Sequence, residues 1–316
     1  ALGIEPGYPI SAAHGYGVKA LLDDVVKGFP ESQTVRANRE QIRVAILGKP
    51  NVGKSSLINR ILGVDRLLVS NTPGTTRDTV DTSFSYRNKE YLLIDTAGLR
   101  RKARVKESIE KFSMIKARKS LQRCHVATIL LNADEGISEQ DARICGYAFD
   151  HGKALVLAVN KWDLIKGNTR KTDYLNKGID RQLGFVSFAP KVNLSALTGE
   201  RVMKIFDKID LVYEQFSRKL STSSVNRALQ ETIERHPPPR THHGPLKFFY
   251  ATQIRAKPPT IVIFVDRPDR VHFSYERFLV NQLRARLQLE SVPLRLDFRK
   301  KTKRQMKGER ARAIGK

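Results

Sequence analysis

The sequence predicts an α/β protein: a mostly parallel sheet with helices on both faces, followed by a small α+β unit. Three observations predict it. Between Ile42 and Phe216, short apolar runs alternate with longer segments of helical periodicity, the pattern of repeated strand–helix–strand units. The apolar run Val44-Ala45-Ile46-Leu47 leads through a turn bounded by Gly48 and Gly53 into Ser56-Leu57-Ile58-Asn59-Arg60-Ile61-Leu62, whose apolar residues recur at helical spacing. After residue 218 the order changes to helix, strand, strand, helix, strand, which calls for a second, smaller sheet.

In chain order, residues 1–30 read as a short strand, a loop and a helix from Val18 to Val26. Their form, an apolar strand end, Ser11-Ala12, a glycine and an amphipathic helix, recurs at Val192–Val202 around Ser195-Ala196 and Gly199. Residues 1–30 are therefore expected to be the last strand and helix of a preceding, related domain. Residues 31–41 are polar and aperiodic, a linker. The main domain, 42–218, has expected strands at 42–47, 81–87, 90–95, 126–132, 153–159 and 189–194. Its expected helices lie at 54–62, 105–123, 138–150, 170–182 and 199–216. The second unit, 219–298, opens with a helix capped by Ser223 or Ser224 that stops before Pro237-Pro238-Pro239. Strands are expected at Leu246–Ile254, Thr260–Val265 and Val292–Phe298, with a helix from Tyr275 to Leu287. The tail, 299–316, holds eight basic residues after Arg299 against the single acid Glu309, and should be attracted to phosphates.

Composition narrows the class. A chain of 316 residues with 40% hydrophobic content accommodates about two packed domains. Its longest apolar runs are strand-sized, far short of the roughly 20 residues a membrane-spanning helix needs. The two cysteines, Cys124 and Cys145, lack metal-ligand spacing, and a reducing cytoplasm is the default setting. His236, His242 and His243 flank the proline run and are expected to be loop residues. The net charge of +25 points to a polyanionic partner, nucleic acid ahead of an anionic membrane surface. The chain starts at Ala1, with no signal or transit peptide visible, and is expected to begin partway into a longer polypeptide.

The chemistry starts at Gly48-Lys49-Pro50-Asn51-Val52-Gly53-Lys54-Ser55, continued by Ser56. A strand, a glycine-rich turn and a helix N-terminus in sequence form a phosphate-binding loop, whose backbone N–H groups and helix dipole face the phosphates. Lys54 places its charge near the β- and γ-phosphates, and the Ser55 hydroxyl is a Mg²⁺ ligand. Asp95-Thr96-Ala97-Gly98 follows an apolar strand. Asp95 is expected to hold Mg²⁺ through its water shell, and the Gly98 N–H to bond the γ-phosphate. Thr76, preferred over Thr75 in Thr72-Pro73-Gly74-Thr75-Thr76-Arg77-Asp78, completes the Mg²⁺ shell. At Asn160-Lys161-Trp162-Asp163 the carboxylate can accept both N–H donors of guanine, which adenine lacks, while Asn160 ties this loop to the phosphate loop and the Lys161 stem lies over the ring. Ser195-Ala196-Leu197 offers the Ala196 N–H to guanine O6. The expected substrate is GTP, and no side chain in these motifs has the character of a general base.

Together these motifs resemble the Era-like GTPases. The order of a remnant domain, a linker, a complete GTPase domain and a C-terminal α+β unit resembles the Der (EngA) family, over essentially the whole chain. The resemblance implies a P-loop GTPase fold, a KH-like C-terminal domain, and a GTP-hydrolysing switch acting in assembly of the large ribosomal subunit, with its rRNA and the missing first GTPase domain as partners. It also implies K⁺ next to the phosphates, held with the help of Asn51. Leu99 stands where Ras-like enzymes carry a water-orienting Gln, so intrinsic hydrolysis should be slow. The C-terminal unit lacks the Gly-x-x-Gly loop of nucleic-acid-binding KH domains. RNA contacts are expected instead from Arg255, Lys257, Arg267, Arg270 and, in the tail, Lys300, Lys301, Lys303 and Arg304. Arg100, Arg101, Lys102 and Arg104 are candidates for RNA or for an acidic face of a neighbouring domain. The alternatives are an Era-like or tRNA-modification GTPase, and a nucleotide-gated RNA-binding adaptor with little turnover. A monomer is the default.

Overall fold

The strand and helix boundaries follow from where apolar periodicity stops and where the backbone turns left-handed. The fold was taken from a computed structural model, which describes residues 9–11, 13–14, 16–27, 41–64, 67–70, 81–96, 117–238, 240–241 and 244–300. The chain divides into two compact units, meeting between Glu40 and Gln41.

In the first unit, helix α1 (Val18–Lys27) follows Gly17, whose φ of 73° suits glycine. The expected strand is not seen among the described residues there. A single antiparallel bridge joins Ser11 to Tyr16 instead, with Ser11 N–H donating to the Tyr16 carbonyl at 3.0 Å.

The second unit begins with strand β1 (Ile42–Leu47), helix α2 (Lys54–Leu62) and the short strand β2 (Leu68–Ser70), which the sequence reading did not anticipate. Strands β3 (Thr82–Tyr86) and β4 (Lys89–Ile94) form a hairpin, its turn at Arg87 and Asn88, both with positive φ. Residues 117–123 are helical, the only described part of the helix expected over 105–123. There follow β5 (Val126–Asn132), α3 (Glu139–Asp150), β6 (Ala154–Asn160), α4 (Thr169–Leu183), β7 (Lys191–Asn193) and α5 (Lys204–Ser217). The seven strands order as β2-β3-β4-β1-β5-β6-β7. β1 is parallel to β4 and β5, and β6 to β5 and β7; only β2–β3 and β3–β4 are antiparallel. Every residue of β5 and β6 is buried, as central strands covered on both faces require.

The helix expected from residue 199 starts only at Lys204. Gly199 (φ 87°) and Arg201 (φ 57°) are left-handed and cannot join a right-handed helix. The remaining elements are α6 (Thr222–Arg235), the two-residue strands β8 (Arg240–Thr241) and β9 (Gly244–Pro245), β10 (Phe248–Arg255), β11 (Thr260–Val265), α7 (Phe273–Arg286) and β12 (Arg295–Lys300). Their sheet runs β10-β11-β12, antiparallel then parallel. The α6 cap is Ser221, not Ser223 or Ser224: its hydroxyl accepts the Ser224 N–H at 3.2 Å. β12 starts after Pro293, which has no N–H for the ladder, while Val292 and Leu294 are core residues. One apolar core is continuous from Ile58 and Phe206 through Phe216 to Val225, Ile261 and Leu279, so the change of order near residue 218 does not interrupt packing.

Candidate nucleotide-binding site

The carboxyl ends of β1 and β6 meet at one edge of the sheet, where a parallel α/β fold places its ligands. β1 stops at Gly48, whose φ is 152° and whose Cβ, if present, would lie 2.6 Å from the Leu130 carbonyl oxygen of β5. Asn51 (φ 59°) and Gly53 (φ 100°) then turn the chain into α2. The Lys54 ammonium lies back across this loop and donates to the carbonyls of Gly48 (2.7 Å) and Lys49 (2.6 Å). Its charge is thus held over the concave side of a loop that could receive phosphates.

Asn160, 2% exposed, is the stitch of the site. Its Nδ2 donates to the Val52 carbonyl at 2.8 Å, and its Oδ1 accepts the Ala196 N–H at 2.9 Å. One carboxamide therefore fixes the phosphate loop against both base-side loops. Lys161 follows in a left-handed conformation (φ 61°), and residues Trp162–Leu164 form a single 3-10 turn. That turn leaves Asp163 Oδ1 buried with no hydrogen-bond partner among the described residues. A buried carboxylate oxygen without a donor is costly unless a ligand supplies one. The N1–H and 2-amino group of guanine fit this need.

Asp95, at the end of β4, has φ 61°; its N–H donates to Asp81 Oδ1 at 3.0 Å. Thr96, buried, shares a 2.8 Å hydrogen bond with Thr82 Oγ1. β3 thus fixes the start of the loop after β4.

Comparison with known proteins agrees with this geometry. The KH-domain-like family found at the C-terminus of EngA bacterial GTPase enzymes matches residues 219–299, and the 50S ribosome-binding GTPase family matches 43–161. GTPase Der of Caldanaerobacter subterraneus subsp. tengcongensis is 44% identical over 300 residues, which is 95% of this chain and 68% of that protein. The chain belongs to the GTPase Der family. A second Der, from Desulforapulum autotrophicum, is 47% identical over 314 residues, 96% of this chain and 64% of that protein. Among solved structures, Era in complex with MgGDPNP and a fragment of 16S ribosomal RNA aligns at 21% identity over 86% of this chain and 97% of that one, with a TM-score of 0.40.

For this Der-family chain the structure brings Gly48–Ser56, Asn160–Asp163 and Ser195–Leu197 together, with Asp95 and Thr96 at the end of the neighbouring strand β4. Ala97, Gly98, Leu99, Thr75, Thr76 and the basic run at Arg100–Arg104 lie outside the described residues, as do Lys301, Lys303 and Arg304. Four expectations change. The Ala196 N–H is taken by Asn160, so guanine O6 must share that donor or meet another. The Trp162 side chain packs, partly buried, against the core cluster that includes Val159 and Ile165. Lys257 does not project as a surface cation: its Nζ sits 4.8 Å from the Tyr213 ring centroid and 3.0 Å from the Tyr213 hydroxyl. Arg267 is similarly held by Asp266 (3.0 Å) and the Pro245 carbonyl (3.1 Å). Arg255 is exposed.

Two site residues escaped the sequence reading. Arg60, on α2, donates to the carbonyls of Ala196 (3.4 Å) and Leu197, pinning the third motif to the phosphate-loop helix. Glu135 pairs with Lys49 at 2.8 Å, accepts from Asn132 at 2.6 Å, and lies beside Asp141, whose Oδ2 is 3.8 Å from the same ammonium. The Lys49 hydrogen bond first, then its charge, with Lys161 and Asn132 adding to them, hold the Glu135 carboxyl below the usual range against the opposing effect of burial. The Asp134-Glu135-Gly136 turn has no signature that names these partners. Among the described residues no His/Cys/Asp/Glu cluster could hold a metal by itself, and no helix is long and apolar enough to cross a membrane.

Proposed function

We propose that this GTP hydrolase is a switch of large-ribosomal-subunit assembly, working in the cytoplasm as a monomer. The observation that carries the nucleotide part is the Asn160 bridge beside the unpartnered Asp163 Oδ1. It supports a purine cleft that selects guanine. Gly48–Ser56 would wrap the phosphates and Lys54 would turn from its own loop carbonyls toward the β- and γ-oxygens. No side chain in the motifs has the character of a general base, so this chain's contribution to hydrolysis would be positioning and charge.

Ser55, Asp95 and Thr76 would hold Mg²⁺, which neutralises charge building on the phosphate oxygens when bound. Asn51, exposed at the loop tip with a left-handed backbone, would help hold K⁺. Gly98 would sense the γ-phosphate. Hydrolysis would release the Thr72–Asp78 loop and the loop after Asp95, and so shift the unit at 219–298 and its affinity for rRNA. We read residues 1–30 as the end of a preceding GTPase domain. Their exposed Ile10, Tyr16, Leu22 and Val25 support that reading, since such a row is normally covered.

The test is co-sedimentation with purified ribosomal subunits, comparing a non-hydrolysable GTP analogue with GDP at two salt concentrations. Nucleotide-dependent pelleting with the large subunit is the expected result. Pelleting that ignores nucleotide and disappears at higher salt would refute the switch and leave only attraction by net charge. Single-turnover hydrolysis in K⁺ against Na⁺ tests the monovalent site and the low-turnover adaptor alternative.

A further inference from the structure

At the opposite end of the sheet from the phosphate loop, three cations, Arg43, Lys153 and Arg295, gather outside the ion pairs of the described residues. β1, β5 and β6 all begin here, roughly 20 Å of strand away from the nucleotide cleft. Arg43, exposed, lays its guanidinium on the edge of His125, with Nη2 2.8 Å from the ring Nε2. His125 packs on Tyr213, ring centroids 5.3 Å apart, and Tyr213 is capped by Lys257 from the second sheet. Lys153, half-buried, spends its Nζ on the carbonyls of Cys124 (2.9 Å) and Gln122 (3.4 Å). Burial pushes the Lys153 ammonium below its usual range against the opposing effect of Cys124, and the charge of Arg43 adds a smaller push in the same direction as burial. Arg295, exposed at the first position of β12, reaches back to the Asp150 carbonyl beside Gly152.

None of the ion pairs among the described residues includes Arg43, Lys153 or Arg295, although surface cations elsewhere, Arg87, Lys89, Arg123 and Lys171, each have a carboxylate. Uncompensated like charges drawn together across two sheets repel one another and gain most from a shared anion.

We propose that Arg43, Lys153 and Arg295 form a phosphate-binding patch that receives an RNA backbone across the joint between the two sheets. The site is separate from the nucleotide cleft and from the Arg255–Arg304 candidates expected from sequence. An RNA backbone fits better than a protein face because the whole chain carries +25 and the patch offers point charges on a rigid floor, not an apolar centre. The proposal rests on the reading of this chain as an rRNA-binding switch. It adds where the phosphates sit, and it implies that bound RNA holds the second sheet against the first.

The test uses the full chain and deproteinised large-subunit rRNA, with affinity measured over a range of salt. The variants are Arg43→Gln, the double variant Arg43→Gln/Lys153→Gln, and Arg43→Lys, each checked by thermal melting and GTP turnover. These residues lie outside the nucleotide site, so turnover should be unchanged. Each lost phosphate contact should reduce the slope of log affinity against log salt by about 0.7–0.9. The double variant should therefore lose between one and two units of slope, and Arg43→Lys should retain the wild-type slope. Wild-type slope in a folded double variant overturns the proposal. So does wild-type rRNA binding with lost binding to the intact subunit, which would make the patch a contact for ribosomal protein. If Arg43→Gln alone lowers the slope while wild-type binding ignores nucleotide, the patch stands and the switch reading fails.

Discussion

Gly53→Ala is the substitution with the most to say about how this site is built. Gly53 has φ 100°, and a Cβ there would overlap Asn160 Nδ2. The left-handed backbone costs an alanine about 1–2 kcal/mol. Relief of the overlap requires the Asn160 carboxamide to leave, which breaks its 2.8 Å bond to the Val52 carbonyl and its 2.9 Å bond from the Ala196 N–H. Both partners are buried, and an unsatisfied buried group costs about 1–3 kcal/mol. Arg60 still holds the Ala196–Leu197 carbonyls, so the loops stay attached but lose their register. A loss of about 3 kcal/mol in nucleotide binding corresponds to roughly a hundredfold weaker GDP. Fluorescence titration with a labelled GDP measures it, with Gly146→Ala as the control. Gly146 is in α3, and a Cβ there meets nothing within 4 Å. That alanine should raise stability by about 0.5–1 kcal/mol without touching affinity. GDP affinity within threefold of wild type in a folded Gly53→Ala protein would refute the stitch.

Asp163→Asn should weaken GDP at least a hundredfold and admit xanthosine diphosphate, because the amide turns one acceptor into a donor that a C2 carbonyl matches; competition binding with the two nucleotides decides it. Burial pushes the thiols of Cys124 and Cys145 up to about 12, so neither should be alkylated at pH 8 in the folded protein, and both should react once it is denatured, as mass spectrometry will read. The Glu135 carboxyl is held low by Lys49, so the stability of that pair is present above the ordinary carboxylate range and is lost as pH falls through the lowered value; carboxyl-carbon NMR should find the titration moved up in Lys49→Gln, and an unmoved titration would remove Lys49 as the cause.

What could be read in the sequence is what local chemistry fixes. β1 and its loop were legible because a buried strand must be apolar and a loop with φ near 100° at Gly53 must be glycine. The tie from Asn160 to the phosphate loop was legible because strand ends in parallel sheets face one cleft. Arg60 was not, since its partners lie 136 residues away in sequence and any surface arginine looks the same. Lys257 misled for the same reason: as a sequence letter it is a cation beside two prolines, and only the packing of Tyr213 shows that its charge is occupied. The hydrogen-bond count at Ala196 also needed coordinates, because sequence gives the donor but not who takes it first.

The joint near residue 218 shows how such bonds limit the proposed switch. A change in element order suggests a new sheet after residue 218, but not how firmly the two sheets are fastened. Gln253 accepts the Leu220 N–H at 2.7 Å and donates to the Arg218 carbonyl at 3.0 Å, which fixes the connecting backbone to β10. Gln215, on α5, accepts the Ser291 N–H at 2.8 Å just ahead of β12. Lys257 and Arg295 add contacts to Tyr213 and Asp150. Each neutral hydrogen bond is worth about 1 kcal/mol net, so swinging the second sheet away costs several kcal/mol before any apolar surface is exposed. A ligand shifts an equilibrium only by its differential affinity for the two states. GTP must therefore either exceed that difference or act with a second ligand that bridges the sheets. A polyanion seated on Arg43, Lys153 and Arg295 would favour the closed arrangement, and its release would lower the barrier that nucleotide alone must overcome.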